Sequence, residues 1–255
     1  MTLELDSRQR AMLQEMGIKV WLQEAPAMVA TPEQAVAAPP VPRPAPVPVP
    51  VPRVTAGTSS LQQMDASALA QAAAVCTACR LCAGRKQSTL QGRAIQQTDW
   101  MLVGDPPDED EDREGIPFAQ HAGLLLDNML RAVGKDRHAF GAAGAYLSNA
   151  VKCRPPHGYV PQSEELTQCE PYLQREIALV QPKVIIAMGR FAHQTLLSEN
   201  PQVAMQPIGK LRGVVYRYQN IPVVVTYAPR ELLRRSADKG KAWADLCLAI
   251  DAMKP

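Results

Sequence analysis

Five of the six cysteines sit where they could serve a metal. CTACRLC places Cys76, Cys79 and Cys82 in one short run, and Cys153 and Cys169 follow on later segments. A C-x2-C pair joined by two distant cysteines supplies four thiolates. That is the ligand set of a structural Zn²⁺ or of an iron–sulfur cluster. The spacing does not choose between them, and buried free thiols are the third reading. Cys82 is a spare candidate, and Cys247 reads as a core residue of the final helix. In a chain of 255 residues whose N-terminus lacks a basic start followed by an apolar core, cysteines point to metal binding rather than to a disulfide framework. A cytoplasmic protein is expected, and no apolar run reaches the roughly 20 residues that span a membrane.

These groups need elements to hold them. TDWMLVG (98–104), AYLSN (145–149), KVIIAMG (183–189) and IPVVVTY (221–227) read as buried strands. VVYRY and IPVVVTY flank Gln219-Asn220 as a hairpin. Met64 to Val75 is Ala-rich and helical, and AGLLLDNMLRAVG (122–134) is an amphipathic helix closed by Gly134. Ser163 is placed to cap a helix running toward Val180, with a break or kink at Pro171. Further helices follow from Phe191 and over 237–252. This alternation predicts an α/β fold, a three-layer αβα sandwich around a central, mostly parallel sheet. Ligand crevices of such sheets lie beyond the carboxyl ends of the strands. Gly104, Asn149, Gly189 and Tyr227 therefore mark the functional edge. At that edge, Ala228 stands where a polar group would be expected.

The chain divides into three regions. Residues 1–25 hold a short helical peptide, capped by Asp6 or Ser7 and ended by Gly17, with more apolar surface than it can bury alone. Residues 26–60 contain ten of the 23 prolines and read as a polyproline-II spacer on the order of 100 Å long when extended. Residues 61–255 form the globular domain. A sticky peptide on a long tether favours a recruitment element that folds into a partner's groove over a terminal helix docked on its own domain. Net charge is only +2, so any basic footprint is local.

Two segments carry a family resemblance. Gly104, Asp105, Pro107, Glu111-Asp112, Gly115, Pro117-Phe118 and Ala122-Gly123 fall in register with one motif. Asn149, Val151, Lys152, Cys153, Arg154, Pro155 and Pro156 match N-x-V-K-C-R-P-P. With the C-x2-C pair, GKLRG (209–213) and KAWADL (241–246), the chain resembles the iron–sulfur, family 4 uracil-DNA glycosylases over nearly all of residues 70–250. The resemblance implies a [4Fe–4S] cluster on Cys76, Cys79, Cys153 and Cys169, leaving Cys82 outside the ligand set. It implies catalytic roles for Asp105 and Asn149. Phe118 would stack on a base flipped out of DNA. Asn149 would accept from uracil N3–H and donate to O4, a pattern that cytosine reverses. Without the resemblance, Asn149 reads as a strand-end turn residue. Lys152, Arg154, Lys210, Arg212, Arg234 and Arg235 would contact phosphates, which position without specifying. The acidic run Asp108 to Asp112 reads as solvated and repels a phosphate backbone.

The chain also departs from that family. Asp105 stands for a Glu, Pro106 for a small residue and Asp108 for a Gly. Ala228 to Leu233 occupies the place of H-P-S-x-L-L, so Ala228 replaces the histidine that meets the departing base. None of His121, His138, His157 and His193 falls there, and only His157 follows a site loop. Two readings result. One is a divergent uracil-DNA glycosylase that hydrolyses N-glycosyl bonds in base-excision repair. The other is a non-catalytic accessory subunit of the DNA polymerase III clamp loader. The second rests on RQRAMLQEMGIKVWLQ, which resembles the clamp-loader-binding peptide of the bacterial polymerase III psi subunit at Leu13, Gln14, Met16, Gly17, Ile18 and Trp21. DNA is the expected partner, the clamp loader a second through residues 7–22, and the chain is expected to be monomeric outside such complexes.

Overall fold

The computed structural model describes residues 58–254. The N-terminal peptide with Leu13, Met16, Ile18 and Trp21, and nearly all of the proline-rich segment, lie outside the described residues. Among the described residues no helix is long and apolar enough to cross a membrane.

A five-stranded sheet forms the middle layer, with β1 (Thr98–Gly104), β2 (Gly141–Asn149), β3 (Val184–Met188), β4 (Val215–Tyr218) and β5 (Ile221–Thr226) in the order β2-β1-β3-β5-β4. All pairs are parallel except β4 with β5. Alternation along the strands splits the core in two. Met101, Val103, Ile185, Ala187, Val223 and Val225 face α1 (Ala66–Val75), α4 (Ser163–Val180) and α5 (Arg190–Leu196). Trp100, Leu102, Val184, Ile186, Met188 and Val224 face α3 (Gln120–Ala132) and α7 (Lys239–Asp251). The fold is thus the expected three-layer sandwich. The β4–β5 hairpin turns at Gln219 and Asn220, both left-handed (φ +46° and +68°), as a two-residue turn matched to strand twist requires.

Several boundaries differ from the sequence expectation. β2 begins at Gly141 rather than Ala145, because backbone pairing of Thr98 with Gly141 extends the ladder through residues with no apolar signal of their own. Gln162, not Ser163, is the N-cap of α4, and its backbone N–H donates to Glu165 Oε2 at 2.9 Å. Pro171 does not break that helix. It removes one backbone bond, while Tyr172, Leu173, Glu176, Ile177 and Val180 bury the next two turns. Helix α1 starts at Ala66, where the Asp65 carboxylate accepts from Ala68 N–H at 2.8 Å.

The register places the strand ends in one line. Gly104 pairs with Asn149 on one side and Met188 on the other, and Met188 pairs with Thr226. Strand order reverses between β1 and β3, so the chain leaving β1 and the chain leaving β3 diverge there and open a crevice.

Behind this edge lies a buried ion pair. Lys152 Nζ is 2.5 Å from Glu176 Oε2, with both side chains at most 3% exposed. The same ammonium donates to Ser148 Oγ and to the Asn149 carbonyl. Tyr146 and Ser148 donate to the Glu176 carboxylate. Lys152→Met is expected to cost about 3–5 kcal/mol, because it strands the Glu176 charge. Denaturant unfolding measures this. A loss under about 1 kcal/mol would show that Glu176 takes up a proton or water at no cost.

Candidate active site and thiol cavity

A cavity of about 90 Å³ opens at the strand ends, lined by Asp105, Pro106, Glu111, Phe118, Ala122, Asn149 and the segment Ala228–Glu231. It gathers Asp105, Phe118 and Asn149 from the expected site. No histidine is among the lining residues, and His157 is exposed elsewhere. His193 is fully buried, with Nδ1 2.9 Å from the Gly189 carbonyl, and burial lowers its pKa.

Asn149 is 1% exposed. Its amide donates to the Asp105 carbonyl at 2.9 Å and to Glu111 Oε1 at 3.2 Å. Both N–H groups are thereby taken, and the amide cannot flip without facing two acceptors. Its Oδ1 is buried with no partner. This corrects half of the expected readout: both amide donors are engaged within the protein, and only the acceptor has no protein partner.

Glu111 organises the cavity. The acidic run is solvated only in part: Glu109 is exposed, whereas Glu111 is 5% exposed and Asp112 is fully buried. Asp108 and Glu111 form a capping box at the start of α2 (Glu109–Glu114), and Asp112 accepts from the backbone N–H of Lys86 at 2.8 Å. Beyond the box, Glu111 Oε1 accepts from Phe118 N–H at 2.6 Å. Its Oε2 accepts from Asp108 N–H at 2.8 Å and lies 3.6 Å from Arg230 Nη2. Phe118 is held in a left-handed conformation (φ +54°), an uncommon state for a large side chain. Its ring covers the end of β1, where a Cβ on Gly104 would come within 2.6 Å of the ring tip.

Asp105 is a helix cap rather than a free base. Its carboxylate accepts from the backbone N–H groups of Phe191 at 2.7 Å and of Arg190 and Ala192 at 3.3 Å, at the start of α5. Gly189 makes room for it, with φ +108° and a Cβ position that would overlap the carboxylate. Burial pushes the Asp105 pKa up to about 6, against the opposing pull of those N–H groups. Burial likewise raises Glu111 to about 7, opposed by Phe118 N–H and Asn149.

Two of the expected phosphate contacts are spent inside the fold. Lys152 is 2% exposed and locked on Glu176, so it faces no phosphate. Arg212 donates to Asp245 at 2.7 Å and to the Lys241 carbonyl, with its guanidinium over the Tyr227 ring. Arg154 is partly exposed, 3.4 Å from Glu109. Lys210, Arg234 and Arg235 are exposed. Arg230 was not singled out from the sequence. It lines the cavity and pairs with Asp108 and Glu111.

Cys76, Cys79, Cys82, Cys153 and Cys169 line a second cavity with Ala73, Ala78, Lys152, Gln168 and Tyr172. Arg85 Nη1 lies 3.1 Å from Cys153 Sγ, and Lys152 N–H donates to Cys169 Sγ at 3.3 Å. Burial raises the Cys153 thiol to about 11 and the Cys169 thiol to about 12. Among the described residues, no three His, Cys, Asp or Glu side chains are grouped as a site for a metal ion.

Fold and sites together define an α/β protein with a crevice at the switch point of its sheet and a thiol-lined cavity beside it. The profile of the uracil DNA glycosylase superfamily matches residues 92–247, and the chain belongs to that family. It is similar to the Type-4 uracil-DNA glycosylase of Sulfurisphaera tokodaii, at 34% identity over 62% of this chain and 71% of the relative. Its identity to the Type-4 enzyme of Pyrobaculum aerophilum is 31%, over 72% and 93%. To that of Thermotoga maritima it is 34%, over 64% and 81%.

The raised Glu111 pKa fixes the sign of a pH effect. A carboxyl whose folded pKa lies above its ordinary 4.5 adds stability below that value and loses it as pH rises through about 7. The unfolding free energy of Glu111→Gln is therefore expected to fall less steeply than that of the native chain between pH 5 and 8. Parallel profiles in urea titrations would show that Glu111 ionises freely in the fold.

Proposed function

We propose that the crevice receives a uracil extruded from DNA and that the protein hydrolyses the bond joining it to deoxyribose, as a DNA-repair enzyme. The observation that carries this is Asn149 Oδ1, a buried acceptor without a partner in the cavity wall. A buried polar atom left unpaired costs about 1–3 kcal/mol. Uracil N3–H satisfies it; cytosine N3 presents a second acceptor and does not. Phe118 lines the same cavity as the stacking face. The names of the relatives support the reading. Arg154, Lys210, Arg234 and Arg235 supply the phosphate contacts. In the reaction the C1′–N1 bond breaks, both electrons leave with uracil, and water oxygen bonds to C1′.

Cys76, Cys79, Cys153 and Cys169 would hold a [4Fe–4S] cluster. The donor set fits: soft thiols share one cavity, and Arg85 and the Lys152 N–H point donors at two of the sulfurs. When bound, the cluster would supply a thiolate-held inorganic core joining the start of the CTACRLC run, the Cys153 loop and α4.

Single-turnover release of uracil from single-stranded DNA and from a U·G duplex tests the function. Release from one or both is expected. Asn149→Ala is expected to slow it by the worth of one buried hydrogen bond, roughly 1–3 kcal/mol or about 5- to 150-fold. No release from either substrate by cluster-bearing protein would end the reading.

Iron and sulfide analysis of the purified chain is expected to give about four of each. Cys82→Ala should retain them and Cys153→Ala should lose them. The reverse result would redraw the ligand set.

A further inference from the structure

The family's catalytic histidine is absent here, yet the positions that depart from the family are not scattered. Ala228 leaves a methyl in the cavity wall, and Arg230, two residues on, lines that same wall. Asp108, another of the departures, accepts directly from Arg230 Nη2. The two residues are partners, from the starts of α2 and of α6 (Pro229–Arg234). The pair is tied to the base-reading residue. Arg230 Nη2 lies 3.6 Å from Glu111 Oε2, and Asn149 donates to the other oxygen of that carboxylate. Arg230 is the one cationic side chain among the lining residues.

We infer that Arg230 meets the negative charge that develops on uracil as the glycosidic bond breaks, in place of the missing histidine, with Asp108 positioning its guanidinium. The inference rests on the uracil reading of the cavity. A base bonded through N3–H to Asn149 Oδ1 carries its two carbonyls on either side of that bond. The leaving electrons spread over N1 and O2. Asp108 engages Arg230 at Nη2, and a guanidinium has five N–H donors in a planar fork, so donors remain for O2. The step balances without proton transfer from arginine. The C1′–N1 pair departs on uracil as its anion, water attacks C1′ and loses a proton to solvent, and the anion is protonated later. Arg230 stays charged throughout and acts by electrostatic stabilisation alone.

The test compares uracil and 5-fluorouracil, the better leaving group, in single-turnover release by native protein, Arg230→Gln, Arg230→Lys and the double variant Arg230→Gln with Ala228→His. Arg230→Gln is expected to slow uracil release by about 10²–10³-fold. Its effect on 5-fluorouracil should be at least several-fold smaller, because that anion needs less help. Lysine should recover part of the rate, and so should the histidine. An unchanged rate for Arg230→Gln would overturn the inference. So would equal losses on both bases with weakened DNA binding, which would make Arg230 a phosphate contact. Either result leaves the uracil reading standing. No release by the native protein removes both.

Discussion

The buried charge of Lys152 joins the two sites. Its backbone N–H reaches Cys169 Sγ in the thiol cavity, and its ammonium reaches the carbonyl of Asn149 in the base cavity. Both ends of the residue are thus fixed, one at each site. A buried ion pair is weak support for stability on its own, since desolvation offsets much of the attraction. Here it has further donors and acceptors on every side, from Tyr146, Ser148 and Asn149. A fully satisfied network of that kind holds one geometry. The loop between β2 and α4 therefore cannot shift at the cysteines without disturbing the strand end that carries Asn149.

Glu111 plays the matching role at the front of the cavity. One oxygen receives Phe118 N–H and Asn149, and the other receives Asp108 N–H and lies 3.6 Å from the Arg230 guanidinium. With those lone pairs engaged, it is poorly placed to take a proton from water. It holds Phe118, Asn149 and Arg230 in one arrangement. Burial pushes its pKa toward neutrality while the N–H donors hold it down. That balance is a consequence of crowding polar groups into the crevice, and need not mark a general base.

Much of this was legible in the sequence. Buried parallel strands are continuous apolar runs, so TDWMLVG and VIIAM announced themselves, and the strand ends they imply are the site. The thiol set was legible as spacing, and its members do share a cavity. What failed did so for local reasons. Lys152 reads as a surface base because its partner, Glu176, lies on another element. The acidic run reads as solvated by composition, although Asp108-x-x-Glu111 is itself a capping-box spacing that turns Glu111 inward. The family resemblance implies a catalytic Asp105, yet its reach to α5 depends on Gly189, which no local pattern links to it.

The demotion of Asp105 bears on how the bond is broken. With its carboxylate committed to three backbone N–H groups and Glu111 committed to its own set, neither of these two is placed to deprotonate water, which leaves Glu231 as the third carboxylate of the wall. What the wall does offer is a hydrogen-bond acceptor fixed in direction, an aromatic face and a cation. The acceptor and the aromatic face hold a base, and the cation is the group that meets negative charge developing on it. A glycosidic bond suits that division, since positive charge builds on the sugar as negative charge builds on the base. Removing the histidine from such a site removes one donor, and the cation two residues away is a donor of the same purpose with a different acid–base character.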